Sequence, residues 1–322
     1  MGKIINSFVV VFGVLLFSGC AVQQQIVGEF LLEQKNYDKG SDYFKAKIRE
    51  NKNDASSQYY YGRFLIANKR YKQSLKYLKK ATILNNKNAD YHSWLGVNYS
   101  LLEMLEDERK EYLIALKIDK KHLQSLTYLA HNYYDNKEYL KSLEYYNKVL
   151  KILPESQTAL FNRAMILNKL ERKPEELLAW KVYLKYYPSG TQARDAVKYL
   201  NNLGSFDYRN HLIGLRTVTL KNILFKPFSS TIDYDSKSSL DFLGKVLTIN
   251  KNIEIHIVGY QEKNSELAHQ KVKEIKKYIL KKYPSINSTR LKLSWFSKPK
   301  NVIIKNRRYL LGESIDFITV TK

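Results

Sequence analysis

A step of 34 residues runs through the first two thirds of the chain. Tyr61-Gly62, Leu95-Gly96, Leu129-Ala130 and Arg163-Ala164 fall into one phase, from 62 to 96 to 130 to 164. Leu65, Tyr99, Tyr133 and Leu167 recur three residues after the small residue, and Ala81, Ala115, Val149 and Tyr183 recur nineteen after it. Pro154 and Pro188 share a phase as well. A period of this length marks supersecondary units that bury their apolar faces against one another, so the fold of this region is a stack of repeats.

Each repeat reads as a helical hairpin. The small residue on the first helix lets the second approach closely, apolar and aromatic side chains fill the space between them, and Pro ends the second helix because it lacks an N–H and clashes backward. These positions and their spacing resemble the tetratricopeptide repeat. Units are expected at 55–88, 89–122, 123–156 and 157–190. A poorer fifth unit spans 21–54, with Gly28, Tyr37, Gly40 and Phe44 in phase but Lys47 where a small residue is expected. Thr191 to Leu203 reads as a capping helix, so the all-α solenoid covers 21–203. The resemblance implies a groove lined by first-helix side chains that takes an extended peptide or a partner helix, with Tyr59, Arg63, His131, Tyr134 and Phe161 as candidate contacts.

Lys3 and the apolar run Phe8 to Phe17 predict a signal peptide over 1–19, too short to span a bilayer. The run ends in Phe17-Ser18-Gly19-Cys20, which resembles a bacterial lipobox, with Phe17 where Leu is usual. That resemblance implies lipidation of Cys20, the chain's single cysteine. Each buried methylene contributes about 0.8 kcal/mol, so several acyl chains make a durable anchor in membrane lipid. Ala21 after the cysteine points to the outer membrane by the sorting rule of enteric bacteria, with the chain facing the periplasm. With 54 Lys+Arg against 31 Asp+Glu, the net charge of +23 would otherwise suggest nucleic acid. Export excludes that partner in favour of anionic lipid, cell-wall polymer or an acidic protein.

The 34-residue pattern stops between Asn202 and Gly214, where Gly204, Ser205, Asp207 and Asn210 predict a linker over 204–214. Beyond it, Val218-Leu220-Ile223-Phe225, Ile253-Ile255-Ile257, Leu291-Leu293-Trp295 and Ile315-Phe317-Thr319 alternate as strands, while 236–247 and 265–282 read as helices. An α/β (α+β) sandwich with helices on one face of a sheet follows. Residues 215–322 are similar to the OmpA-like peptidoglycan-associated domain, through the strand end Ile223 to Ser230, the second strand Ile253 to Tyr260, Gly259-Tyr260-Gln261-Glu262 at the Gly-His-Thr-Asp motif, and Leu267 to Lys271 at the Leu-Ser-x-x-Arg helix start. The family's Asp and Arg grip the diaminopimelate unit of peptidoglycan. The resemblance therefore implies Glu262 and Lys271 as ligand-binding residues. Asn306-Arg307-Arg308 and Gly312 stand at the family's closing segment, with Glu313 at its Arg position. A domain that keeps the scaffold and has lost the ligand is the alternative.

No Gly-rich phosphate loop, zinc-spaced His pair or nucleophile motif occurs, so no catalytic residue, metal or cofactor is expected. His256 alternates with Ile255 and Ile257 and is expected to face solvent, and Glu106, Asp107 and Glu108 fall in a hairpin turn without partners. These features imply a non-enzymatic outer-membrane lipoprotein, a protein–protein scaffold in assembly of an envelope machine such as a pilus or secretion system, with a wall-docking C-terminal domain. A structural tether from outer membrane to peptidoglycan is the alternative.

Overall fold

The computed structural model describes residues 20–321. Residues 1–19, where a signal peptide is expected, and the side chain of Cys20 lie outside the described residues. The chain separates into two compact units, up to Pro154 and from Glu155 onward.

The first unit is a run of four helical hairpins: α1 (Cys20–Glu33) with α2 (Tyr37–Glu50), α3 (Ala55–Ala67) with α4 (Tyr71–Leu84), α5 (Ala89–Leu101) with α6 (Leu105–Ile118), and α7 (Leu123–Asp135) with α8 (Tyr139–Ile152). The small residues work as their phase predicts. A Cβ on Gly62 would stand 2.6 Å from Leu78, and one on Gly96 would stand 2.5 Å from the Tyr112 ring. Both ends of the hairpins obey the same step. Asp54, Asn88 and His122 each cap the first helix of a pair by accepting a backbone N–H with the side chain. Between the paired helices stand Lys35, Lys69, Glu103 and Lys137, all left-handed with φ of 55–60°. The following N–H closes a six-residue ring onto the first helix, as in Arg70 to the Leu65 carbonyl at 2.8 Å and Met104 to the Tyr99 carbonyl at 3.0 Å. This is the Schellman arrangement with a residue other than glycine at its left-handed position.

Glu106, Asp107 and Glu108 form the first turn of α6, where carboxylates favour the helix N-terminus. Glu108 differs from expectation. It is buried and accepts a hydrogen bond from Asn132 Nδ2 at 3.0 Å, and its burial raises its pKa.

The second unit opens with one more hairpin, α9 (Gln157–Lys169) and α10 (Lys173–Tyr186), and the helix α11 (Thr191–Asn202). Ser156 caps α9 and Glu171 carries the left-handed turn, so the period continues into this unit. This hairpin and α11 group with the strand region in one compact unit. The reason is packing: Trp180 stacks on Tyr199 of α11 at 5.1 Å, and the Arg194 carbonyl accepts from Asn210 at 3.0 Å.

Residues 204–214, read above as a linker, hold strand β1 (Tyr208–Ile213), which forms a hairpin with β2 (Arg216–Lys221) through Gly214. Ile223 to Phe225, expected to continue β2, contributes a single bridge from Phe225 to Ile232. There follow α12 (Lys237–Ile249), β3 (Ile253–Gln261), α13 (Ser265–Lys282), β4 (Leu291–Phe296), β5 (Lys300–Ile304), β6 (Arg307–Leu311) and β7 (Glu313–Thr321). β3 is central, parallel to β4 and antiparallel to β7. Leu240, Leu243 and Leu247 of α12 and Val272, Ile275 and Ile279 of α13 pack with Ile255, Ile257, Ile315 and Phe317 into one core. Asn306-Arg307-Arg308 belongs to the β5–β6 hairpin, whose turn residues Lys305 and Asn306 both have positive φ.

The repeat geometry predicts opposite effects at two neighbouring positions. Gly96→Leu drives a side chain into Tyr112 and lowers the midpoint of thermal unfolding by an amount corresponding to about 1–3 kcal/mol. Glu103→Gly relieves the left-handed turn and raises stability by about 0.5 kcal/mol. Differential scanning calorimetry of the two purified variants checks both signs.

Candidate functional site

In the first unit, the candidate groove residues Tyr59 and Arg63 lie together on α3, and His131 and Tyr134 lie one turn apart on α7. Arg63 is held on every side. Its guanidinium carbon sits 4.3 Å from the Trp94 ring, 5.3 Å from Tyr59 and 5.6 Å from Tyr60, and it pairs with Glu29. The Tyr60 hydroxyl donates to the same Glu29 carboxylate at 2.9 Å. Glu29 stands one period before Arg63, and Trp94 one period after Tyr60, so the arginine clamps three successive first helices. Only 12% of its side chain is exposed. Tyr59 is buried against Tyr91, with ring centroids 4.6 Å apart, and burial raises its pKa. Glu29, Tyr60 and Trp94 escaped the sequence reading, although the 34-residue step applied to Arg63 finds the first of them.

His131 stands two periods after Arg63. Its ring packs between Tyr128 and Tyr146, and burial lowers its pKa, so the imidazole is neutral near pH 7. Its Nε2 is buried without a hydrogen-bond partner among the described residues. The same holds for Ser93 Oγ, one period after Tyr59, and for Arg63 Nε. A buried polar atom left unpaired costs about 1–3 kcal/mol, and such atoms are uncommon in folded proteins. Ser57, His92, Asn98 and Tyr112 of the same unit keep such atoms as well, and all of them lie inside the helix packing. Tyr134 is half-buried and meets Tyr139 edge-on at 5.7 Å. Phe161 lies in the second unit, where it packs edge-on against Trp180 and Tyr183 at 5.3 Å each. His122, an N-cap, also reaches Asp90 with Nε2 at 3.1 Å, so its role is structural.

The second site lies where β3 and β4 end. Lys271, on α13, is 2% exposed, and its ammonium donates to Glu313 at 2.5 Å and to Gln261 at 2.7 Å. Glu262 is exposed and shares no ion pair with Lys271; its backbone N–H donates to the Gly312 carbonyl at 2.7 Å. Lys271 is thus paired with Glu313, and Glu262 stands apart from that pair. Such a lysine is already neutralised within the fold, and an incoming carboxylate must displace Glu313. Beside it stands a cluster that sequence patterning missed. Trp295 stacks on His269 with centroids 3.8 Å apart, Phe296 stacks on Tyr260 at 5.3 Å, and Lys298 and Lys300 lie over Phe296 and Tyr260. Trp295 and Phe296 are each 39% exposed. His256 is half-buried rather than solvent-facing, and its Nε2 lies 2.9 Å from Ser294 Oγ.

Asp316 pairs with Arg209 of β1 at 2.6 Å and with Lys300 of β5, so this cluster joins three strands. His211 lies next to it. Burial, with help from Arg209, pushes its pKa down to about 4. Among the described residues no group of three His, Cys, Asp or Glu side chains is placed to hold a metal ion, and no helix is long and apolar enough to cross a membrane.

No protein-family model matches the chain, and no curated protein matches it. Solved structures of similar outline include MamA, at 16% identity and a TM-score of 0.47 over 50% of this chain and 94% of that one. YrrB, described as a TPR protein with an unusual peptide-binding site, is 14% identical with a TM-score of 0.47 over 58% of this chain and 97% of its own. A fragment of MamA from Desulfovibrio magneticus RS-1 is 16% identical with a TM-score of 0.44, covering 52% and 92%. The helical part, α1 to α11, is TPR-like by its own period of small residues, caps and left-handed turns. A strand-containing region follows it.

The neutral histidines set a pH dependence. His211 and His131 both have folded pKa values below the ordinary 6.5, so the unfolded chain takes up protons first and stability falls as pH drops. For His211 the loss runs from about pH 6.5 down to about pH 4. Thermal unfolding followed across that window should show a declining midpoint, and His211→Gln should flatten the decline.

Proposed function

We propose that the chain is a non-enzymatic scaffold whose TPR-like helical groove holds an extended segment of a protein partner. The stack of first helices, with the half-buried His131 and Tyr134 on α7, supports this reading, because a face of that kind takes an extended peptide through its backbone groups and side chains. The neutral imidazole of His131 is suited to such a backbone group, whereas Arg63 shapes the groove and its charge is met by Glu29. With Cys20 as lipid anchor and a chain of net charge +23, the scaffold belongs at the periplasmic face of an outer membrane, where it serves assembly of an envelope machine such as a pilus or secretion system. Photo-crosslinkers placed in cells at His131 and Tyr134 should trap a discrete partner, and one at Leu140, on a second helix and 68% exposed, should not. Equal capture from all three positions would sink the groove reading. Cys20→Ser should move the protein out of the membrane fraction.

A second reading, docking to cell-wall peptidoglycan, is favoured by the exposed rings of Trp295 and Phe296 beside Lys298. Aromatic faces and a lysine suit a glycan strand with acidic stem peptides. This reading shifts the weight from Lys271 to the aromatic cluster and Glu262. Co-sedimentation with purified sacculi, lost on Trp295→Ala and kept on Trp295→Phe, is the expected result; an unbound wild-type chain overturns it.

A further inference from the structure

The outer edge of β2 opens onto a groove of about 1830 Å³ within the second unit. The hydrogen-bond phase of the β1–β2 hairpin shows what that edge offers. Asn222 N–H donates to the Asp207 carbonyl at 2.7 Å, so residues 207 and 222 form a hydrogen-bonded pair. In an antiparallel ladder such pairs alternate, which turns the N–H and C=O of Thr217 and Thr219 away from β1. β2 pairs with β1 alone among the described strands, so these four groups face the groove. The next outward carbonyl, that of Lys221, accepts from Ser239 Oγ at 3.1 Å and closes the edge there.

The two walls of the groove differ. On the side of α12, Phe242, Val246 and Ile249 line it, and Ile249 is 79% exposed. On the side of α10 and α11, Lys185 and Arg194 line it. The lining as a whole holds six Lys and Arg against two Asp, and both aspartates are committed, Asp235 to Lys221 at 2.9 Å and Asp241 to Lys282 at 2.7 Å. Lys185, Arg194, Arg216 and Lys237 have no ion pair among the described residues.

We propose that this edge is a second binding site, independent of the helical groove, that takes an extended acidic peptide segment of a partner protein as an added strand. Main-chain bonds to Thr217 and Thr219 supply the affinity common to strand addition. Successive side chains of a strand point to opposite faces, so the matching segment alternates apolar residues, which meet Phe242 and Ile249, with Asp or Glu, which meet Lys185 and Arg194. A second copy of β2 is the poorer occupant, because it brings further cations, its own Arg216 and Lys221, to a groove already lined by Lys185 and Arg194.

The test uses the purified chain from Ala21 and a fluorescently labelled ten-residue peptide of alternating Glu and Val. The expected results are saturable binding by anisotropy, and slowed amide exchange at Thr217 and Thr219 on binding. Thr217→Pro removes an outward N–H and leaves the β1–β2 ladder intact, so it should weaken binding at least tenfold with an unchanged circular dichroism spectrum. Should that variant unfold, Lys185→Glu combined with Arg216→Glu, both at the surface, should produce the same loss and confer binding to a Lys–Val peptide. No binding to the wild type, equal binding of the Glu–Val and Lys–Val peptides by it, or exchange protection elsewhere overturns the proposal. So does a concentration-dependent dimer that Thr217→Pro abolishes, since the edge would then serve a second copy.

Discussion

The helical part depends on how closely the two helices of each hairpin approach. Gly62 and Gly96 leave no room for a Cβ, and the space they open is used at once by Leu78 and Tyr112. The approach also makes a hydrogen bond possible that a larger residue would block. Ser74 Oγ donates to the Gly62 carbonyl at 2.9 Å, and Ser142 Oγ, two periods later, donates to the Ala130 carbonyl at 2.8 Å. In the alternate hairpins the same phase holds Glu108 and Glu176, both buried and both hydrogen-bonded to an asparagine, Asn132 and Asn168. One contact between backbones thus sets the side-chain size, the turn and the polar chemistry of each repeat.

A strongly basic chain invites the assumption that its cations await a partner. The fold divides them differently. Arg63 is enclosed by three rings and Glu29, Lys271 is consumed by Glu313 and Gln261, and Arg209 and Lys300 share Asp316. The Arg209–Asp316 pair is buried on both sides, and removing one member leaves the other uncompensated at a cost of about 3–5 kcal/mol, so it is part of the scaffold. Among the described residues, Lys298 beside the exposed rings of β4 and Lys185, Arg194, Arg216 and Lys237 at the β2 groove make no such pair.

Much of the helical architecture was legible because its signals are local and repeated. Gly62 and Gly96 announced the close approach, and Pro188 the end of a second helix. Other local signals lay in the same phase unread: the N-caps Asp54, Asn88, His122 and Ser156 would have fixed every first-helix start from 55 onward. The strand region was harder. Tyr208 to Ile213 carries Arg209, Asn210 and His211 in its centre and looks like a loop; it is a strand because β7 supplies Asp316 to Arg209 and Thr319 accommodates the Leu212 carbonyl at 2.9 Å. Phe225 looked like a strand residue and forms one bridge only, since β2 ends at Lys221.

The candidate sites divide along the same line. The phase of the repeat places Tyr59, Arg63 and His131 on first helices, because helix periodicity and the 34-residue step act over short stretches of chain. Which of them keeps an unpaired polar atom was decided by neighbours one or two periods away. For Lys271 the deciding residue stands at 313, across a strand pairing whose register no local pattern states. The open edge of β2 likewise exists only because of what packs beside it. Sequence alone determined the repeat and the positions of its groove; tertiary packing alone decided which charges are spent inside the fold and which backbone edge is left to bind, since ion pairing and edge exposure depend on groups brought together from distant parts of the chain.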